Sequence, residues 1–373
     1  MTNTSQKHGP VISALATAGL ALVLSAAFGR RPAPGATPDY VSDPTGGTSA
    51  PDPHRAAGER DRGRTAAQPQ EIPPRGWWDI MWRVYEEIGD DRILAVAAGV
   101  TFYGLLALFP AIGAFVSLYG LVADPATISE HLNALSGFLP GGALDVVGEQ
   151  IKRITTGNDT ALGFAFFSGL AISVWSANAG MKAVFDALNV AYEEKEKRSF
   201  IALNLTSLAF TFGAIVFLVI AMSGVVVVPV LLKFIGLGAV ADWVVWIGRW
   251  PALLLVTMVW LAVLYRYGPS RDRARWSWLA PGSILAAAGW MIFSMIFSWY
   301  VGSFGNYNET YGSLGAVVGF MTWMWLSVTI ILVGAELNAE TEHQTAHDTT
   351  EGPHEPLGAR GAEMADTVGA ARA

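Results

Sequence analysis

Cysteine is absent from all 373 residues. Disulfides, thiolate zinc sites, iron–sulfur clusters and cysteine nucleophiles are therefore excluded. Charge is scarce as well: 15% of residues are Asp, Glu, Lys or Arg, against about 25% in soluble domains. The net charge of -7 supplies no broad basic surface, which excludes a general grip on nucleic acid. The six histidines are His8, His54, His131, His343, His347 and His354. None lies inside an apolar run. His343 and His347 are four apart but sit in a polar stretch, so neither a metal centre nor a cofactor site is expected.

Apolar residues are plentiful, at 52% of the chain, and the mean hydropathy is +0.38 even with polar ends included. The middle carries runs of about 20 apolar residues, the length an α-helix needs to cross a bilayer. The fold class is thus all-α: a polytopic integral membrane helical bundle with six core transmembrane helices and one candidate N-terminal anchor or signal segment. The six core segments are 93–122, 161–180, 200–232, 244–265, 278–302 and 313–337. No internal repeat is evident.

Composition divides the rest. Residues 1–29 hold an apolar stretch between Lys7 and the pair Arg30–Arg31, readable as a signal peptide or as an uncleaved anchor. Residues 30–75 are rich in Pro, Gly, Ala, Asp and Arg, and are expected to be a disordered linker, because little apolar surface offsets the entropy of ordering. The tail, 341–373, has the same character and is expected to be a disordered cytoplasmic tail. Residues 76–340 form the membrane domain. Within it, 124–160 places Ile128, Leu132, Leu135 and Phe138, then Leu144, Val147, Ile151 and Ile154, at helical spacing around Pro140-Gly-Gly142. That pattern predicts an amphipathic hairpin on the outer surface.

Lys195, Lys197 and Arg198 follow the second core segment, and Arg266, Arg271, Arg273 and Arg275 follow the fourth. The alternate loops carry fewer cations, so both ends of the six-span core are expected in the cytoplasm. Trp77, Trp78, Trp82, Trp243, Trp246, Trp250, Trp276, Trp278 and Trp299 fall near predicted helix ends, where indoles favour the headgroup layer.

No Asp, Glu, Lys or Arg lies near the middle of a span, which argues against a proton or ion relay. Polar residues gather instead at the cytoplasmic level. Trp175, Asn178, Lys182, Asp186 and Asn189 share one helix face. Asn204 and Thr206 open the third span, Arg266 closes the fourth, and Glu336 and Asn338 close the sixth. These predict a cluster in which Lys182 and Arg266 meet Asp186 and Glu336. Its seven members, Asn178, Lys182, Asp186, Asn189, Arg266, Glu336 and Asn338, are candidates for binding a ligand or lipid headgroup. The alternative is structural: end-of-helix charges snorkel, and polar side chains join helices. Gly282, Ser283, Ala286 and Gly289, and the Gly315–Gly319 pair, predict close helix packing and offer a surface for homo-oligomers.

Several motifs resemble one family. Ala98-Gly-Val-Thr-Phe-Tyr-Gly-Leu-Leu-Ala-Leu-Phe-Pro110, Trp175-Ser-Ala-Asn-Ala-Gly180, Ala187-Leu-Asn-Val-Ala-Tyr192 and Leu264-Tyr-Arg-Tyr-Gly-Pro269 carry the likeness. Tyr307-Asn-Glu-Thr-Tyr-Gly-Ser-Leu-Gly-Ala-Val-Val318 and Gly334-Ala-Glu-Leu-Asn-Ala-Glu340 complete it. Over about residues 75–345 the chain resembles the YihY/BrkB family of bacterial inner-membrane proteins, historically labelled ribonuclease BN or virulence factor BrkB. The resemblance implies six spans with cytoplasmic ends and supplies no chemistry. Ribonuclease activity would need a metal cluster or acid–base pair and a phosphate-binding surface, and the residues offer neither. The expectation is a non-enzymatic inner-membrane protein with membrane lipids as partners. It would be a transporter or flippase-like protein for a lipid or small solute, with an envelope scaffold as the alternative.

Overall fold

The computed structural model describes the backbone of residues 59–122, 159–234, 238–303 and 313–372, and the side chains of 61–107, 171–217, 250–301 and 317–372. The chain divides into two units, 1–60 and 61–373, and the second is the subject here. The 1–29 segment, the linker up to residue 58 and almost all of the 124–160 hairpin lie outside the described residues.

Among the described residues there are eight α-helices and no strand. They are α1 (Pro74–Asp90), α2 (Ile93–Val122), α3 (Asp159–Ala191), α4 (Phe200–Phe234), α5 (Gly238–Tyr267), α6 (Trp276–Ser303), α7 (Ser313–His343) and the single turn α8 (Glu363–Asp366). Pro74 opens α1, where its missing N–H is no loss and its φ suits a helix. Gly76, Asp79, Ile80 and Val84 form the buried face of α1, and Trp78, Met81 and Tyr85 the exposed one. Arg92 (φ 53) turns the chain from α1 into α2, and Glu193 (φ 52) closes α3. Both take the left-handed cap conformation usually given to glycine.

Consecutive helices from α2 to α7 pack side by side, and α7 packs back on α2, so the six close on themselves; α1 lies against α7 and α2. The core draws on Ile93, Ala97, Phe185, Leu188, Tyr192, Leu264, Tyr265, Leu279, Ala286, Leu332 and Ala335. Phe102, Leu106, Ile172, Phe212, Ile215, Leu255, Val259, Ile292, Ile296 and Val318 point outward and are exposed. An apolar exterior of this extent is what lipid contact requires. Among the described residues, four helices carry stretches long and apolar enough to cross a membrane: Phe200–Phe217, Trp250–Tyr267, Trp276–Val301 and Val317–His343.

The expected close packing is realised where α6 meets α7. A Cβ added at Gly334 would lie 2.7 Å from the Ala286 Cβ, the Gly282 carbonyl oxygen and the Tyr265 hydroxyl. A Cβ at Gly282 would collide with the Gly334 carbonyl and lie 2.6 Å from the Asn338 carboxamide. At Gly319 there is open space instead.

Two stretches expected to be disordered carry defined contacts where they are described, residues 59–75 and 341–372. Within the predicted linker, Ala66 and Ile72 are buried, Gly63 turns the chain at φ 81, and Arg62 grips both oxygens of Asp79 at 2.6 and 2.7 Å. The predicted tail is ordered through residue 372. Its centre is Arg360, 2% exposed, which donates to the carbonyls of Ala365 (2.6 Å), Ala346 (2.8 Å), His347 (3.2 Å) and Glu355 (3.2 Å). Asp348 accepts from the Thr350 N–H and hydroxyl and the Glu355 N–H. Apolar burial in this segment is confined to Ala362, Met364 and Ala365, too little to order it. Charge-assisted hydrogen bonds to backbone do, and composition does not register those. Trp278 corrects a third expectation: rather than being presented to a headgroup layer, it is fully buried with Ile80, Val84 and Leu337.

Candidate functional site

The predicted four-charge cluster does not form. Its members separate into three groups around the polar end of the bundle, where the connections after α3 and α5 meet the C-terminal segment.

The first group lies on the seam between α3 and α4. Ser207 donates to Asn178 Oδ1, and Lys182 Nζ donates to Asn204 Oδ1 at 2.6 Å. The Asn178 carboxamide donates to the same oxygen at 3.4 Å, while Asn204 Nδ2 donates to the Phe200 carbonyl at 2.7 Å. Asp186, one turn on, is exposed.

Asn189 belongs to the second group and is a structural tie. Its Oδ1 accepts the Ser270 N–H at 2.7 Å and its Nδ2 donates to Glu196 at 3.2 Å. Burial works to raise the Glu196 carboxyl, but hydrogen bonds from the Arg198 side chain and backbone outweigh it, and Asn189 adds to them. The group is held at about 2. Beside it, Arg266 pairs with Glu351 of the C-terminal segment rather than with Glu336. Its guanidinium also lies 4.5 Å from the Trp276 ring centre. Arg271 and Glu342 form a wholly buried pair at 2.6 Å, with Thr349 donating to the same carboxylate at 2.8 Å.

The third group gathers where α1, α3 and α7 converge. Glu336 is 1% exposed and one of its oxygens has no partner. Asn338 accepts the Gly282 N–H at 2.7 Å through Oδ1, leaving Nδ2 unpaired. The Tyr192 hydroxyl faces Asn338 and, among the described residues, has no other hydrogen-bonding group beside it. Glu336 meets Asp91 instead of Arg266. Burial first, then the charges of Glu193 and Asp90, raise Asp91 to about 6 against an opposing hydrogen bond with Glu336. Burial, followed by Glu340, Glu193, Asp91 and Asp90, raises Glu87 to about 7. Arg83, paired with Glu340, and the His343 ring, 3.5 Å from Glu340, face this acidic group. Among the described residues, no three His, Asp or Glu side chains are placed to hold a metal ion.

Sequence reading misses Tyr192, Asp91, Glu87, Glu193 and Glu351. The three-to-four-residue period of Gly76, Asp79, Ile80 and Val84 is a usable signal for α1, and α1 brings Glu87 and Asp91 to α7. Nothing local links Glu351 to Arg266.

The sequence pattern of the virulence factor BrkB family matches residues 84–358. The chain belongs to that family. A BrkB-family likeness also extends to individual proteins. The ribonuclease-like protein YfkH of Bacillus subtilis is 34% identical over 255 residues, 65% of this chain and 88% of YfkH. A UPF0761 membrane protein of Pseudoalteromonas translucida is 25% identical over 289 residues, covering 74% of this chain and 89% of its own. A UPF0761 membrane protein of Vibrio vulnificus is 25% identical over 262 residues, covering 68% and 80%. No solved structure matches the chain. With its apolar helices, this is a multi-pass membrane protein of the BrkB/UPF0761 family. The BrkB-family match begins inside α1 and runs past Glu351. The acidic convergence from Glu87 to Glu340 and the Arg266–Glu351 tie are thus both within it.

Proposed function

We propose that this BrkB-family protein sits in the bacterial inner membrane with α2–α7 as six spans and the ends of the core in the cytoplasm. We read it as a transporter or flippase-like protein for a lipid or small solute, and not as an enzyme. The positive-inside rule supports the orientation. The cation-rich connections after α3 and α5 lie at one end, joined by the Lys197 N–H donating to Ser270 Oγ at 2.8 Å.

One observation carries the transport reading. At the convergence of α1, α3 and α7, a Glu336 oxygen is buried without a partner, and Asn338 Nδ2 and the Tyr192 hydroxyl have no partner beyond one another. An open group costs about 1–3 kcal/mol, and such under-satisfied groups in one neighbourhood favour a polar visitor that completes them. The test is native mass spectrometry of the detergent-purified protein, wild type and Glu336→Gln/Asn338→Ala. A discrete lipid or solute adduct, lost in the variant while the fold persists, is the expected result. No specific adduct in either protein overturns the reading and favours an envelope scaffold.

A further inference from the structure

Lys182 differs from most cations at the polar end in having no carboxylate in contact. Arg62, Arg83, Lys197, Arg198, Arg266, Arg271, Arg360 and Arg372 each have a carboxylate within 4.0 Å. Lys182 has a carboxamide oxygen, Asn204 Oδ1, at 2.6 Å. That oxygen is fixed from behind by Asn178 and Ser207, which are 4% and 0% exposed. The network thus holds a half-buried ammonium in place with no carboxylate in contact, and Asp186, one turn on, acts on it only from longer range.

The surroundings specify what neutralises it. The same seam exposes Trp175 on α3 and Phe200, Ile201 and Leu205 on α4, all more than 60% exposed. Trp175, Asn178 and Lys182 share a face of α3, and seven residues of helix place Trp175 about 10 Å deeper than Lys182. Lys182 also lies 5.8 Å from the Phe200 ring centre. A cation at the level of the helix ends, above an aromatic and aliphatic strip that runs inward, matches an anion with an apolar tail. We infer that the α3–α4 seam binds an anionic phospholipid, with its phosphate on Lys182 and its acyl chains along Trp175, Ile201 and Leu205. A free phosphate would use the ammonium and leave that strip uncovered. The inference rests on membrane placement and not on transport.

The experiment titrates the full-length protein in detergent with dioleoyl phosphatidylglycerol and, separately, dioleoyl phosphatidylcholine, reading bound lipid by native mass spectrometry. One lysine near a lipid surface contributes about 1 kcal/mol, or about fivefold in affinity. Wild type is therefore expected to prefer the anionic lipid by about fivefold, and Lys182→Arg to keep that preference. Lys182→Gln is expected to abolish it. So is Asn204→Asp, which supplies the missing carboxylate, with the thermal transition serving as the fold control in each. Equal binding of both lipids by the wild type, or an undiminished preference in Lys182→Gln and Asn204→Asp, overturns the inference. Displacement of the lipid by millimolar inorganic phosphate also overturns it, in favour of a free-anion site. Glu336→Gln should leave the preference intact, so failure of the transport reading and failure of this one are separable.

Discussion

Arg266 and Glu351 form an ion pair that joins the end of α5 to the C-terminal segment. Glu336, the partner expected from depth and charge, meets Asp91 instead. A double-mutant cycle separates the two arrangements. Arg266→Ala and Glu351→Ala should couple by about 0.5–1 kcal/mol, a modest value because Glu351 is half exposed. Arg266→Ala and Glu336→Ala should add. Coupling of the second pair at the level of the first would contradict the structure.

The α6–α7 crossing is a matter of clearance. Gly282→Ala should destabilise by about 1–3 kcal/mol, because the new methyl meets the Gly334 carbonyl. Gly319→Ala, in open space, should be neutral or stabilise by up to about 1 kcal/mol through helix propensity. Thermal unfolding of the two variants in one detergent checks both signs.

Acid and base should act oppositely on two parts of the polar end. Glu87 and Asp91 have folded pKa values raised to about 7 and about 6. The folded state therefore holds protons that the unfolded chain releases. Their contribution to stability is full below the unfolded values of 4.5 and 3.8 and is lost as pH rises towards 7. Glu196, held at about 2, does the reverse: its contribution is present above its unfolded value of 4.5 and fades as pH falls towards 2. Melting temperature should thus decline between pH 5 and pH 8, and Glu87→Gln should flatten that decline. A Glu87→Gln profile parallel to wild type would remove Glu87 as the cause.

The C-terminal segment should behave as folded protein. Arg360→Ala leaves four backbone carbonyls without their shared donor, and a buried acceptor left open costs about 1–3 kcal/mol. Limited digestion with a Glu-specific protease should cut this variant at Glu351 and Glu363 much faster than wild type, with Arg75→Lys, an exposed position outside the segment, as the control. Equal cleavage rates would mean that Arg360 does not order the segment.

Apolar length is the property most legible in this sequence. The predicted ranges 93–122, 200–232 and 313–337 nearly coincide with α2, α4 and α7, because burial in lipid or protein writes itself into every residue of a span. The Gly282–Ala286 face is legible for a related reason, since small residues have one main use in such helices. The site is less so. Asn178, Lys182 and Asn204 do come together, as a helical face and a neighbouring helix start allow. Arg266 and Glu336 share a depth but meet different partners, and depth is all that hydropathy reports. Order in residues 61–73 and 344–372 escapes composition, because a few ions, Arg62, Asp79, Asp348 and Arg360, do what a core would otherwise do.

Arg83 accounts for the order in which this end can be assembled. Its partners are the Glu340 side chain and carbonyl, the Gln344 carboxamide and the carbonyl of Ala370, all made after nearly the whole of the six-helix core. The first of the described helices therefore waits for the last of the six. Until Glu340 has left the ribosome, the α1 guanidinium has no carboxylate to meet, and its docking against α7 must wait for that helix to be made.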